Sequence, residues 1–325
     1  MTTSPPGRLI PLAALAVLCA CGPDSRDVPT AGAVGMDAHA FFADRSPWSE
    51  PVNLGAPVNT STVDFSPTLS SDELSLYFAS DRPGGVGGID IWVSHRACGD
   101  CAWEAPVNLG PVVNSPANDN GPSLSLDGHL LFFSSTRPGG LGGNDIYLSR
   151  RADPTNDFDW ASPAILGSQV NTGGAEAGPE YLQSAEDGPA NLYFNRVAVG
   201  GAADIFVAPV ARDGEALAPA VLVAELSHPT ASDQAATVRT DGREVLFFSN
   251  RDGTLGLNDL WVSTRRSVHD AWSPPVNLGA PMNTGSNDQQ PSLSSNARTL
   301  IFVSNRPGGL GGFDLWMSTR TPSGQ

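Results

Sequence analysis

The 325-residue sequence contains no lysine; all 18 of its basic side chains are arginines. Schiff-base chemistry and a lysine-bearing phosphate loop are therefore excluded. The arginines face 34 acidic residues, giving a formal charge of −16. Such a surface repels phosphate backbones, so nucleic acid is not an expected partner. A cation, a basic peptide or a neutral glycan fits that charge better. Other signatures are missing too. There is no GxSxG nucleophile elbow and no HExxH zinc motif. His39, His95, His129, His228 and His269 are scattered, so no metal centre is expected from them. Nor does the apolar run from Leu9 to Ala20 reach the length needed to cross a bilayer.

What the chain does have is turns. Its 35 glycines and 28 prolines are spread along the length instead of pooled in one tract, which suits many short strands joined by tight turns. The stretch "SDRPGGVGGIDIW" from Ser80 returns as "STRPGGLGGNDIY" from Ser135 and "SNRPGGLGGFDLW" from Ser304. Trp48, Trp103, Trp160 and Trp272 each precede an acid by sixteen residues: Asp64, Asp119, Glu176 and Asp288. A fifth acid, Asp233, has Leu217 in the tryptophan place. A second set, Asp90, Asp145, Asp204, Asp259 and Asp314, recurs at intervals of 55, 59, 55 and 55 residues.

Each copy holds four short runs of β type, in the first copy "FSPTLS", "LSLYFAS", "DIWVSHR" and "WEAPVNLG". Four antiparallel strands at this period predict a propeller blade, with strands A to D running from inside to outside. The domain opens on a D-type segment, Trp48–Gly55, and closes on a C-type one, Asp314–Arg320. The expected fold is therefore all-β: a five-bladed β-propeller over 48–320, four antiparallel strands per blade, its ring closed by the N-terminal strand. Residues 321–325 form a short tail.

The B–C part of each copy, for example "LSSDELSLYFASDRPGGVGGIDIWVS", resembles the WD-repeat-like propeller repeat of TolB and related periplasmic proteins. The resemblance covers Trp48 to Arg320 and implies the fold more than any one activity. TolB carries a further domain and six blades, which this chain lacks, so TolB's partners are not carried over. At the N-terminus, Leu18-Cys19-Ala20-Cys21 resembles the bacterial lipobox. That implies a signal peptide over 1–20, lipid on Cys21, a tether over 21–47, and a place in the cell envelope. The lipid would be the only membrane contact. Gly22 after the cysteine favours the outer membrane.

Candidate sites follow from the repeat. An arginine stands eight residues before each C-strand acid: Arg82 and Asp90, Arg137 and Asp145, Arg196 and Asp204, Arg251 and Asp259, Arg306 and Asp314. These are expected to be structural pairs that meet across the Gly-rich B–C turn, or that bond turn backbone or a neighbouring blade. Asp64, Asp119, Glu176, Asp233 and Asp288 start the A strands that line a propeller's channel. Either they form an acidic ring at one mouth or each turns away to bond backbone amides of the next blade. In a bare ring, neighbours about 8 Å apart would repel by about 2 kcal/mol at an effective dielectric near ~20, so Ca²⁺ is a weak candidate ligand and the only cofactor considered. Cys98 and Cys101 in "CGDC" are expected to form a local disulfide. Blade three departs most from the pattern, lacking the turn proline.

No catalytic or cofactor-binding residue is assigned. The expected function is a non-enzymatic, monomeric, membrane-tethered binding or assembly scaffold that presents its channel mouth and B–C turns to an envelope protein or glycan. The alternatives are a propeller glycoside hydrolase using channel-mouth carboxylates and a Ca²⁺-stabilised structural ring.

Overall fold

The structure is a computed structural model and describes residues 1, 47–183, 189–197 and 201–321. The lipobox, signal and tether assignments lie outside the described residues, as do residues 322–325. All blades belong to the unit of residues 45–325.

Alternating apolar side chains with β-branched and aromatic residues produce twenty strands in five four-stranded antiparallel sheets. Blade one is β2 (Asp64–Leu69), β3 (Ser75–Ser80), β4 (Asp90–His95) and β5 (Val107–Asn108). Blade two is β6 (Asp119–Leu124), β7 (Leu130–Ser135), β8 (Asp145–Arg150) and β9 (Ala164–Ile165). Blade three is longer in its three inner strands: β10 (Ala175–Leu182), β11 (Ala190–Val197), β12 (Ala203–Val210) and β13 (Val221–Leu222). Blade four is β14 (Asp233–Val238), β15 (Glu244–Ser249), β16 (Asp259–Thr264) and β17 (Val276–Asn277). Blade five combines β18 (Asp288–Leu293), β19 (Thr299–Ser304) and β20 (Asp314–Thr319) with β1 (Val52–Asn53) from the other end of the domain.

That last pairing closes the ring: Val52 lies opposite Met317, and Asn53 opposite Trp316. The five-bladed propeller with four antiparallel strands per blade and an N-terminal closing strand is the fold of this chain. Closure covers β20 and leaves blade five only the two-residue β1 as its outer edge. The segment without tryptophan, around Leu217, completes blade three and not blade four, since β13 pairs with β12.

The core lies between blades. Tyr77, Ile91 and Val93 of blade one pack with Leu131, Phe133, Tyr147 and Trp160 of blade two. Val58, Leu76, Phe78 and Trp92 pack with Ile301, Val303 and Leu315 of blade five. Each sheet thus buries both faces against its neighbours, so burial of apolar area holds the ring together.

The repeated glycines have two separate tasks. Gly84 sits at φ 96° and Gly308 at φ 100°, the left-handed region that a B–C turn requires. Gly87 and Gly142 keep normal backbone, but a Cβ there would collide with carbonyls of the loop entering the next blade, Ala117 and Gly174 respectively. The repeated phrase is thus a blade-to-blade joint as well as a turn.

Candidate functional site

The recurring charged residues come first, and their partners are not the ones next to them across the turn. Arg82 donates to Asp64 (Nη2–Oδ1 2.6 Å), not to Asp90. Arg137 reaches Asp119 and Arg306 reaches Asp288, each at 2.6 Å. Arg196 reaches Glu176 at 2.8 Å, and Arg251 pairs with Asp233. Each arginine also donates to a carbonyl in the loop before strand A, as Arg82 does to Val58. It lies against two aromatic rings of its own blade, Phe78 and Trp92 for Arg82.

The five acids are fully buried. Asp64 accepts from Thr60 N–H at 2.6 Å and from Ser80 Oγ at 2.7 Å, besides Arg82. No ring of facing carboxylates exists, and the repulsion calculated for one does not arise. The carboxylates expected at the channel mouth for hydrolysis are therefore not these. Each turns to its own arginine and to the loop leading into its own strand, not to the next blade. Among the described residues no three acids, histidines or cysteines converge as a metal site.

The second acidic set wraps the turn. Asp90 accepts from Val86 and Gly87 N–H and from Asn108 Nδ2 at 3.0 Å. Asp314 does the same with Leu310, Gly311 and Asn53. Cys98 and Cys101 are joined by a disulfide.

One repeated pair escaped the sequence reading. The arginine after strand C lies over the tryptophan: Arg96 on Trp103 at 4.5 Å, Arg151 on Trp160 at 4.4 Å, Arg265 on Trp272 at 4.1 Å and Arg320 on Trp48 at 4.5 Å. The signal was present, because each tryptophan follows such an arginine within a few residues or closes the ring onto one.

The channel holds the other residue that was missed. Every A strand carries a bulge, with Ser66, Gly121, Gly178, Ala235 and Gln290 at φ between 49° and 62°. Two residues beyond each bulge the side chain faces the channel. Four blades place a small hydroxyl there: Thr68 and Ser292, which line the channel cavities, and Ser123 and Thr237, which reach across to blade three. Blade three places Glu180. Its carboxylate accepts from Thr237 Oγ1 at 3.1 Å, Val238 N–H at 3.2 Å and Ser123 Oγ at 3.4 Å, spanning three blades. Cavities of about 40 and 50 Å³ lie on either side of it. Glu180 is half-buried and lines both of these cavities. Burial pushes its carboxyl up to about 7, and the three hydrogen bonds oppose that rise without cancelling it.

No family model matches the chain, and no curated protein matches it. Solved structures do. An α-L-arabinofuranosidase from Lactobacillus brevis aligns with a TM-score of 0.57 at 14% identity, covering 83% of this chain and 95% of its own. The α-L-arabinofuranosidase PaAbf62A from Podospora anserina, solved with cellotriose, aligns at 0.55 and 12%, covering 86% and 99%. A structure described as TolB from Agrobacterium tumefaciens aligns at 0.47 and 14%, covering 81% and 84%. At these identities the likeness shows a shared fold. It still corrects two expectations. The reading as a non-enzymatic scaffold, and the assignment as no enzyme, are overturned by neighbours that are propeller glycoside hydrolases over nearly their whole length.

Proposed function

We propose that this chain is a glycoside hydrolase and that Glu180 is its proton donor. The observation that carries the reading is the break in symmetry at one channel position. Four blades supply a hydroxyl and the fifth supplies a carboxyl. Burying a carboxyl is costly. The bond Glu180 accepts from the next blade, at Val238 N–H, is one that Ser123 and Thr237 make with hydroxyls, to Tyr181 and Leu293 N–H, so the fold does not need a carboxyl for it. With its pKa pushed to about 7, Glu180 holds its proton through mildly acid pH and keeps about half of it near neutrality, in the range a general acid needs.

The chemistry is proton transfer from Glu180, through one channel water, to the glycosidic oxygen as the C–O bond to the leaving group breaks; water adds at the anomeric carbon and the proton it loses returns to Glu180 by the same route. The cavities beside Glu180 take water but no sugar ring. The glycan therefore engages from a mouth, and channel water carries the proton. Among the described residues lining these two cavities Glu180 is the one carboxyl. The acids of the sequence-level ring do not supply its companion.

The test is turnover of aryl glycosides, beginning with an aryl α-L-arabinofuranoside, by the full chain and by Glu180→Gln. Activity should fall as pH rises through about 7. The variant should lose more on substrates with poor leaving groups than on activated ones, because only the former need a proton. A wild-type chain that cleaves no glycoside, or a variant with unchanged rates, removes the proposal.

The TolB-type repeat and the lipobox-like "LCAC" further support a place in the envelope, with lipid on Cys21. Incorporation of labelled palmitate, lost in Cys21→Ala, is the measurement for that part.

A further inference from the structure

Blade one carries a second cluster, away from the channel and unrelated to the reading of Glu180. Ser75 opens β3 and His95 closes β4, so the two lie directly opposite across the strand pair. Ser75 Oγ is 3.1 Å from His95 Nδ1. His95 Nε2 is 2.9 Å from Asp157 Oδ2, on the loop between β8 and β9 of blade two. The other oxygen of Asp157 is held by Arg151 at 2.7 Å and by the Tyr77 hydroxyl. The carboxylate is thus fixed from one side while its free oxygen receives the imidazole.

This chain of groups is not part of the repeat. The same cross-strand position holds Leu130 and Arg150 in blade two, and Asn191 and Pro209 in blade three. It holds Glu244 and Thr264 in blade four, and Thr299 and Thr319 in blade five. Fold maintenance therefore does not require it. It also borders space: Ser75, Tyr77, Arg151 and Asp157 line a cavity of about 230 Å³ between blades one and two.

We infer that Ser75, His95 and Asp157 form a nucleophilic serine site that takes small neutral esters. The order is hydroxyl, imidazole, carboxylate, the relay that activates a serine. Here Nδ1 faces the serine and Nε2–H faces the carboxylate, which is the reverse use of the two nitrogens but the same proton logic. Ser75 Oγ bonds to the ester carbonyl carbon and its proton passes to His95 Nδ1. The carbonyl oxygen takes the electron pair, beside the positive charge of Arg151. Collapse breaks the bond to the alcohol, which leaves with the proton from His95. Water then repeats the sequence, releasing the acid and restoring Ser75. Asp72 and Asp127 on the same cavity wall disfavour anionic acyl groups, and this selects neutral esters.

The experiment is labelling of the full chain with a fluorophosphonate, followed by peptide mass spectrometry. The expected result is an adduct on Ser75, absent in Ser75→Ala. The rate should drop about a hundredfold in His95→Gln, a change at a side chain that is 41% exposed and so leaves the fold intact. Hydrolysis of p-nitrophenyl acetate should be lost in Ser75→Ala. Two results overturn the inference: no adduct on Ser75 under conditions that label a reference serine esterase completely, or equal labelling of the His95→Gln variant. Glycoside cleavage is expected to be unchanged in Ser75→Ala, which separates this site from Glu180.

Discussion

Blade three and blade four solve the same electrostatic problem with different parts. In blade four, Asp233 starts strand A opposite Ser249, and Arg251 reaches back from two residues further on. Blade three has Glu176 instead, one methylene longer. Arg196 has moved into the strand position that serine holds elsewhere, directly opposite the acid. It binds through Nε instead of Nη2. Three changes thus compensate one another: a longer acid, an arginine two residues earlier, and no serine between them. The pairing is what the fold needs, and the residues that deliver it are negotiable. The same comparison locates the departures that are not compensated. One is Glu180, where the other blades have a hydroxyl. Another is the outer strand, where Leu217 is exposed in the place of a stacked tryptophan.

The largest effect should come from separating these two solutions. Arg251→Ala strands a buried carboxylate that retains one other donor, His228 N–H. Removing one partner of a buried pair costs about 3–5 kcal/mol. Arg196→Ala leaves Glu176 both the N–H and the hydroxyl of Thr172, and its arginine side chain is 17% exposed against 9% for Arg251. Its cost should be smaller by about 1 kcal/mol or more, since each retained hydrogen bond is worth about that. Urea unfolding of the two variants measures the gap. Equal midpoints would mean that the compensation is cosmetic.

What sequence could reveal follows the same division. The period, the strand order and the closing strand were legible because turn residues and strand alternation act locally. Acid and arginine positions were legible too, but not their partners. Arg82 is eight residues from Asp90 and eighteen from Asp64, yet the twist of the hairpin brings it to the farther one. Asp90 is already taken by turn N–H groups, a fact of backbone geometry that spacing does not contain. Of the two readings open for the strand-A acids, a mouth ring or a turn away to backbone, spacing could not choose, because side-chain direction depends on the loop that precedes the strand; the acids turn away, to their own loop and arginine. Glu180 was overlooked because a bulge shifts the inward face by one residue, which breaks the simple alternation. The cluster of Ser75, His95 and Asp157 spans two blades, and nothing in a single repeat announces it.

Glu180 against the four hydroxyls makes the next contrast. Its folded pKa is raised from the ordinary value of 4.5 to about 7. The folded state therefore holds the proton more tightly than the unfolded one. The sign follows: the stabilising contribution is complete below about 4.5 and is lost as pH rises through about 7. A shift of this size corresponds to at most about 3 kcal/mol, reduced because channel water solvates the group. Glu180→Gln keeps an acceptor for Val238 and Thr237 and removes the ionisation. Its melting temperature should match wild type near pH 4.5 and exceed it above pH 7.5. Parallel curves for the two proteins across that window would show that Glu180 is solvated like a surface acid.

The smallest effect tests the outer strand. In blades one, four and five an asparagine, Asn108, Asn277 or Asn53, donates to the acid that opens strand C. Blade two has Ile165 there, and Asp145 Oδ1 is buried without a partner. Blade three has Leu222, 47% exposed, opposite Phe206 and beside the end of strand C that carries Asp204. Burial, and then the charge of Asp233, raise the pKa of Asp204, as expected for a carboxylate short of donors. Leu222→Asn restores the donor while giving up a side chain that is largely in solvent. The expected gain is about 1 kcal/mol, with the pKa of Asp204 falling toward its ordinary range, both measurable by unfolding at several pH values. A stability gain without a change in its pH dependence would place the new asparagine against backbone instead of Asp204. Blade three would then differ from its neighbours in the course of its outer strand as well as in its residues.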